Sequence, residues 1–289
     1  MNKLRRYPFL HTFNQVQKIN ATTIGERLSR KPHKLFQSHR TDFYMIFLFT
    51  KGEGLHSVDF NTIKVKPRHI LFIGSGQVHH FDPKETYDGM TVVFTEDFFS
   101  RTDEHRRFLS LSPLFNDPLQ PAYFDVGERY NELSVLYDFI VNELKRPAHP
   151  NQGVILHHYL FNMMLIAEIV CTPKQKTMPL SRQQLLVADF KRLSNQHLKE
   201  QWTINQYAAM LNVTPRSLQN AFSALEDSSP KSWLTERLAL EIKRMLTFET
   251  CSINEIAFQT GFKEASNFVK FFKAHTGTTP SRFRELLPG

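Results

Sequence analysis

Toward its C-terminal end the chain repeats itself. Thr203-Ile204-Asn205-Gln206-Tyr207-Ala208 returns as Ser252-Ile253-Asn254-Glu255-Ile256-Ala257. Farther on, Phe222 is answered by Phe272 and Ser229-Pro230 by Thr279-Pro280, each pair about fifty residues apart. A period of this length means that one small structural unit is used twice. The offset grows by one residue along the copies, which puts an extra residue in the turn of the second. Each copy opens on a capping box, Thr203 with Gln206 and Ser252 with Glu255, in which side chain and backbone satisfy each other's orphan amides. A short helix with a central alanine follows, and a small side chain there lets another helix cross closely. The turn is Asn212-Val213 and then Thr214-Pro215 in the first copy, an N-cap with proline at the first helical position. In the second copy it is Thr260-Gly261-Phe262. Second helices are expected over 216–225 and 263–275.

Two short helices, a tight turn and a small residue at the crossing describe a helix-turn-helix, although an ordinary helical hairpin has the same outline. The faces of the second helices separate the two readings. With Leu218, Phe222 and Leu225 turned inward, Arg216, Gln219, Asn220 and Ser223 face out. With Phe268, Phe271 and Phe272 inward, Lys263, Glu264, Asn267 and Lys270 face out. Arg, Asn and Gln make bidentate contacts with base edges, and Lys or Ser reaches phosphate. A helix over 231–248 joins the copies. At about 1.5 Å per residue it spans roughly 26 Å, suited to holding two recognition helices about one DNA turn, roughly 34 Å, apart.

The first half of the chain is built differently. The run 43–49 is aromatic and β-branched and ends on the turn Lys51-Gly52-Glu53-Gly54. His56 to Phe60 alternates weakly, 63–66 cleanly up to Pro67, and 70–73 is closed by Gly74-Ser75-Gly76. With 90–95 these make short strands spaced by Gly and Pro turns, so residues from about 20 to 125 predict a sandwich or closed barrel. From 128 the period becomes helical. Leu133, Leu136, Tyr137, Ile140, Val141 and Leu144 share a face, and Arg146-Pro147 ends the helix. The next helix, 154–171, is apolar on more than one side, which fits a dimer contact or an intrachain cover for the barrel. The stretch 172–182, with Pro173 and Pro179, reads as a linker. The expected organisation is α+β with two domains: a barrel over 1–127, helices over 128–171, the linker, and an all-α domain over 183–289 carrying helix-turn-helix units at 203–225 and 252–275.

Charge then narrows the partners. The formal net charge is +8, which suits a polyanion, although charge alone does not separate a nucleic-acid binder from an inert basic surface. Cys171 and Cys251 are the two cysteines, far apart and outside any CxxC spacing, so neither a disulfide framework nor a thiolate zinc site is expected. Free thiols fit a reducing cytoplasm. The basic start, with Arg5-Arg6, runs into no continuous apolar stretch, so no secretory signal is expected. The apolar segment 154–171 contains His157, His158, Asn162 and Glu168, which argues against a membrane span.

These residues resemble the DNA-binding domain of the AraC/XylS family. The stretch 237–246 looks like its linker helix. Ile253 to Ala257, Gly261-Phe262, 267–273 and 277–284 look like its signature, within which Lys273 and Arg282 join the candidate DNA contacts. Two positions depart from the pattern: Asp227 stands where the second copy has Gly277, and Ile242 replaces a small residue. The N-terminal half resembles the cupin-like (jelly-roll) sensor of such regulators, through His39, Phe43-Tyr44, 51–54, Pro67, 76–79 and 94–98. The resemblance implies a transcription regulator, more in the manner of an activator, which binds double-stranded DNA and RNA polymerase as a cytoplasmic homodimer. A small-molecule effector, a sugar or related metabolite, would enter the barrel, with His39, Tyr44, His56, His79 and His80 as candidate contacts. The alternative is a metal-dependent cupin enzyme with a helical appendage. It needs a His-x-His pair and a carboxylate, but Gln37 stands opposite His39 in the pair and the carboxylate's place falls among Phe43, Tyr44 and Met45. No catalytic residue, metal ligand or cofactor is therefore assigned. A third reading keeps the helix-turn-helix units for protein partners alone.

Overall fold

Strands form where β-branched and aromatic residues alternate or run together, and they assemble into two facing sheets. The computed structural model describes residues 5–9, 18–30, 35–82, 86–116, 120–172, 181–226 and 228–286. The first sheet holds β1 (Arg5–Tyr7), β3 (His39–Thr41), β8 (Val78–Phe81), β5 (Gly54–Val58) and β6 (Asn61–Val65), in that order. The second holds β10 (Tyr123–Asp125), β7 (His69–Ile73), β4 (Tyr44–Lys51), β9 (Asp88–Phe94) and β2 (Ile19–Thr23). All pairings are antiparallel except β1 with β3.

Strand β4 reads as a continuous apolar run because it is buried on both faces. Met45, Phe47 and Phe49 point between the sheets, into a core with Val58, Val65, Leu71, Phe81 and Val93. Ile46 and Leu48 point the other way, into a second core shared with helices α5 (Tyr130–Lys145) and α6 (Gln152–Cys171). Helix α5 brings Leu133, Tyr137 and Ile140 to that core, and α6 brings Leu156, Leu160, Met163, Met164 and Ala167. Helix α6 is long and apolar enough to cross a membrane by length and composition; here its buried side packs on the sheet.

Not all of 20–125 is strand and turn. A helix α1 (Ile24–Arg30) follows β2, and α2 (Glu96–Phe99), α3 (Asp103–Leu111) and α4 (Pro113–Asn116) follow β9. Thr95 and Thr102 cap α2 and α3 by accepting from the amides of Phe98 and His105.

The chain divides between 177 and 178, inside the expected linker, of which 173–180 lie outside the described residues. The second unit is helical: α7 (Arg182–His197), α8 (Ile204–Met210), α9 (Pro215–Leu225), α10 (Pro230–Phe248), α11 (Ile253–Gln259), α12 (Ala265–Thr276) and α13 (Pro280–Glu285). Both capping boxes at the repeat are formed. Helix α10 serves both copies. Its Trp233 packs with Phe190 of α7 and with Tyr207, Leu218 and Phe222 of the first. Its Leu238, Ile242, Met245 and Leu246 pack with Ile256, Ala257, Phe268 and Phe272 of the second. Ile242 is fully buried there, so its bulk is absorbed in the second copy's core. Asp227 lies outside the described residues.

Candidate nucleic-acid interface and ligand site

The two helix pairs are superposable in their local logic. In the first, the Asn212 amide donates to the carbonyl of Ala209 and the Val213 amide to that of Ala208. In the second, Gly261 donates to Phe258 and Phe262 to Ala257. Asn212 and Gly261 both take positive φ, 55° and 84°, the left-handed turn conformation that Asn and Gly adopt most readily. Ala208 and Ala257 are buried at the crossings. Thr214 caps α9 by accepting from the Ser217 amide at 3.1 Å, with Pro215 in the first turn.

Arg216, Gln219, Asn220 and Ser223 are all exposed on α9, opposite the buried Leu218 and Phe222. Ser223 donates back to the carbonyl of Gln219 at 3.0 Å. Leu225, expected inside, is 39% exposed, because α9 ends there and its last turn projects beyond the core. In the second copy Asn267, Lys270 and Lys273 are exposed on α12, with Phe268 and Phe272 buried beneath and Phe271 half-buried beside them. Lys263 and Glu264 are exposed too, but they precede the helix: α12 starts at Ala265 and Glu264 is its N-cap, without a side-chain cap bond. Arg282 is exposed on α13 and pairs with Glu285 at 3.1 Å.

The two reading units are tied by backbone as well as by α10. Gln201 Nε2, just ahead of the first copy, donates to the Thr260 carbonyl in the turn of the second at 2.7 Å. The carbonyl of Lys199 lies so close to Gly261 that a Cβ there would sit 2.2 Å from its oxygen. Lys199 Nζ also pairs with Glu241 of α10 at 3.0 Å.

In the N-terminal unit three of the expected contacts converge. His39 and His79 are directly opposed across β3 and β8, with ring centroids 4.2 Å apart, and His56 on β5 lies 5.4 Å from His79. All three are buried on the inner face of the first sheet, with Phe47 of the opposite sheet against His56 and His79. Burial pushes the imidazoles toward neutrality, to about 4 for His39, about 3 for His56 and well below the ordinary value for His79. His39 Nδ1 lies 2.9 Å from the Gln37 carbonyl, which only accepts, so the proton is on Nδ1. His56 Nδ1 lies 2.9 Å from Tyr87 Oη, which itself donates to the Leu55 carbonyl. Both of those bonds form together only when His56 Nδ1 carries the proton.

Tyr44 and His80 do not join this cluster. Tyr44 lies on the other face of β4, stacked on Phe94 and edge-on to Phe115. His80 follows His79 on a strand, so it points to the opposite side, half-buried, with its Nδ1 3.3 Å from Ser38 Oγ. Other polar groups, outside the sequence candidates, are also buried in this unit. Thr91 Oγ1 and Asn20 Oδ1 are buried without hydrogen-bond partners. Their registers, opposite Phe47 and Val93, turn them inward. Arg27 of α1 is buried as well. Strand alternation carries a signal for Thr91; nothing local marks Arg27. Among the described residues no group of three His, Cys, Asp or Glu side chains is placed to hold a metal ion.

Comparison with known proteins divides the chain in the same two parts. The family model of an AraC-like ligand binding domain matches residues 27–123, and that of a helix-turn-helix domain matches 207–286. The HTH-type transcriptional activator RhaS of Yersinia pestis (strain Pestoides F) is 22% identical over 266 residues, covering 90% of this chain and 93% of that protein. The RhaS of Yersinia pseudotuberculosis serotype O:1b (strain IP 31758) gives the same figures. Among solved structures, ToxT from Vibrio cholerae O395 covers 95% of this chain and 100% of its own, at 12% identity and a TM-score of 0.41.

Proposed function

Because this chain belongs to the AraC/XylS family of transcription regulators, with an AraC-like ligand-binding domain ahead of its helix-turn-helix domain, we propose that α9 and α12 enter successive major grooves of a promoter. A small polar effector between the N-terminal sheets controls how they do so. The observation that carries this is the duplicated pair of recognition helices, each with its apolar side sunk in a core built on α10 and its polar side exposed. Helix α10, about 28 Å long at 1.5 Å per residue, supports a separation near one DNA turn.

Arg216, Gln219, Asn220 and Asn267 read base edges; Ser223, Lys263, Lys270, Lys273 and Arg282 hold phosphate, and Glu264 accepts from cytosine or excludes other bases. His39, His56 and His79 contact the effector. Activation, through RNA polymerase, is favoured by the activator names of the RhaS relatives. Homodimerisation through α5 and α6 is supported by Val135, Phe139, Val154 and Ile169, apolar side chains left exposed on those helices. The site of action is the cytoplasm, and the barrel binds rather than catalyses.

Fluorescence anisotropy with a labelled duplex from the chain's own promoter region tests the reading. Binding falls steeply with salt, and Arg216→Ala and Asn267→Ala each weaken specific binding by about 1–3 kcal/mol. Undiminished affinity in both variants removes α9 and α12 as reading helices.

A further inference from the structure

The helical unit holds a cleft that DNA reading leaves unused: none of the proposed DNA contacts lines it. Its volume is about 400 Å³ and its lining mostly apolar, within the size range of small-molecule sites, about 300–1,000 Å³. Both copies of the repeat contribute. Trp202 precedes α8, Ile204 and Tyr207 belong to α8, Lys231 and Leu234 to α10, and Phe271 to α12 of the second copy. The walls are braced from behind. The Trp202 ring stacks on His197 with centroids 3.8 Å apart, and Phe271 packs on Phe262 and His275 at 5.3 and 4.5 Å. The 198–201 segment, which also lines the cleft, is pinned by the Gln201–Thr260 hydrogen bond and the Lys199–Glu241 pair. Side chains that would have to fill the space are thus held elsewhere, and the cleft stays open.

Lys231 and Tyr207 set the polarity of what fits. Lys231 is the only charged residue among the described ones that line the cleft; it is exposed and forms no ion pair with any described residue. The Tyr207 ring is 1% exposed, and its hydroxyl makes no hydrogen bond with any described residue. Burial, and then the Glu200 carboxylate, push that hydroxyl up to about 12, so it stays protonated and can donate. Glu200 itself is engaged by His197 at 3.0 Å. An ammonium-bearing ligand is opposed by Lys231. A small inorganic anion meets Lys231 and leaves the aromatic walls wet. A hydrocarbon covers the walls and leaves the hydroxyl unmet, which is costly on a buried ring. We infer that the cleft binds an amphipathic monocarboxylate, an arylalkanoic acid: its apolar body lies against Trp202, Leu234 and Phe271, and its carboxylate accepts from Tyr207 and pairs with Lys231. The four-carbon stem of Lys231 lets its ammonium follow a carboxylate lodged at Tyr207. Because the lining draws on both copies, the bound acid fixes how α9 and α12 are carried on α10. The cleft is then a second control point inside the DNA-binding unit, separate from the barrel; this control role rests on the DNA reading proposed above.

The test uses the full chain at matched ionic strength with phenylbutyrate as the acid, phenylbutyramide for the same body without charge, phenylbutylamine for the opposite charge, and butyrate for the carboxylate without the ring. Methyl resonances of Ile204 and Leu234 report the cleft, tryptophan fluorescence gives affinity, and anisotropy on the promoter duplex is followed in parallel. Phenylbutyrate moves both methyl groups and binds about twofold to fivefold more tightly than the amide, the range of an ion pair with an exposed lysine. The amine and butyrate bind more weakly still. Lys231→Gln removes the preference for acid over amide, and Lys231→Arg keeps it. Tyr207→Phe weakens acid and amide alike, by about threefold or more, since both accept from the hydroxyl. Saturating acid changes promoter affinity by about fivefold or more.

Amide or amine bound as tightly as the acid overturns the inference, as does an acid preference that survives Lys231→Gln or an affinity untouched by Tyr207→Phe. So does a response confined to methyl groups of the barrel, such as Leu71 and Val93, with Ile204 and Leu234 unmoved. Ile204 and Leu234 resonances that follow protein concentration and ignore the acid make a second copy of the chain the occupant, with the same consequence. Acid bound at the cleft with promoter affinity unchanged overturns the control role. Where the parent binds no promoter duplex at all, the function proposed above falls with that role, and the methyl shifts decide the binding site by themselves.

Discussion

Replacing Gly261 by alanine perturbs the joint between the two reading units, and Gly277 supplies the control. Both glycines have left-handed φ, 84° and 77°. A Cβ at Gly277 meets nothing within 4 Å, whereas at Gly261 it would lie 2.2 Å from the Lys199 carbonyl oxygen and 3.2 Å from Gln201 Cγ. Gly277→Ala therefore costs the backbone term alone, about 1–2 kcal/mol. Gly261→Ala carries that term plus an overlap with a main-chain oxygen that no rotamer change relieves, about 1–3 kcal/mol. It also strains the Gln201–Thr260 hydrogen bond, worth about 1 kcal/mol. The expected sum is about 3–6 kcal/mol against a typical domain stability of roughly 5–15 kcal/mol. The chain's two tryptophans, Trp202 and Trp233, both lie in the C-terminal unit, so intrinsic fluorescence in urea follows that unit selectively. A denaturation midpoint for Gly261→Ala no lower than for Gly277→Ala would refute the steric argument, and with it the claim that the 198–201 segment fixes the second unit's turn.

Other consequences follow from buried charge. Lys191, 8% exposed, pairs with Glu226 at 2.6 Å. Glu226→Ala strands the ammonium and lowers stability by about 3–5 kcal/mol, whereas Lys191→Met is far milder; equal urea midpoints would contradict this. The barrel histidines give a pH signature. Their folded-state values, about 4 for His39 and about 3 for His56, lie below the unfolded 6.5, so the unfolded chain binds more protons in between. Stability is then full above about pH 6.5 and falls toward pH 4, by about 1.4 kcal/mol per pH unit for each histidine. His56→Gln flattens the slope in thermal melts between pH 6.5 and 4.5, and an unchanged slope would show that His56 protonates as easily folded as unfolded. On DNA, Lys270→Ala weakens binding evenly across sequences and reduces the salt slope by about 1, while Asn267→Ala relaxes preference at one base pair; reversed effects in a competition assay would reassign the two.

The parts of this protein legible in its sequence are those set by short-range physics. Capping boxes, a turn asparagine matched by a turn glycine and helical spacing of apolar residues all act within a few positions, so the doubled unit and its exposed faces could be read directly. The helices over 96–116 were also marked, by Thr95 and Thr102 ahead of acidic residues, but are short enough to pass as turns in a strand-rich stretch. Strand alternation separates His79 from His80, since neighbours on a strand cannot face the same side. Tyr44 is a different case. Strand β4 is apolar throughout, so its two faces could not be told apart until the helices covering one of them were placed. Only tertiary structure decided that His39, His56 and His79, drawn from three strands, share one buried wall, and that the Lys199 carbonyl closes on Gly261. Those contacts join residues far apart in the chain, and their energies depend on distance and desolvation, which no local pattern of residue types encodes.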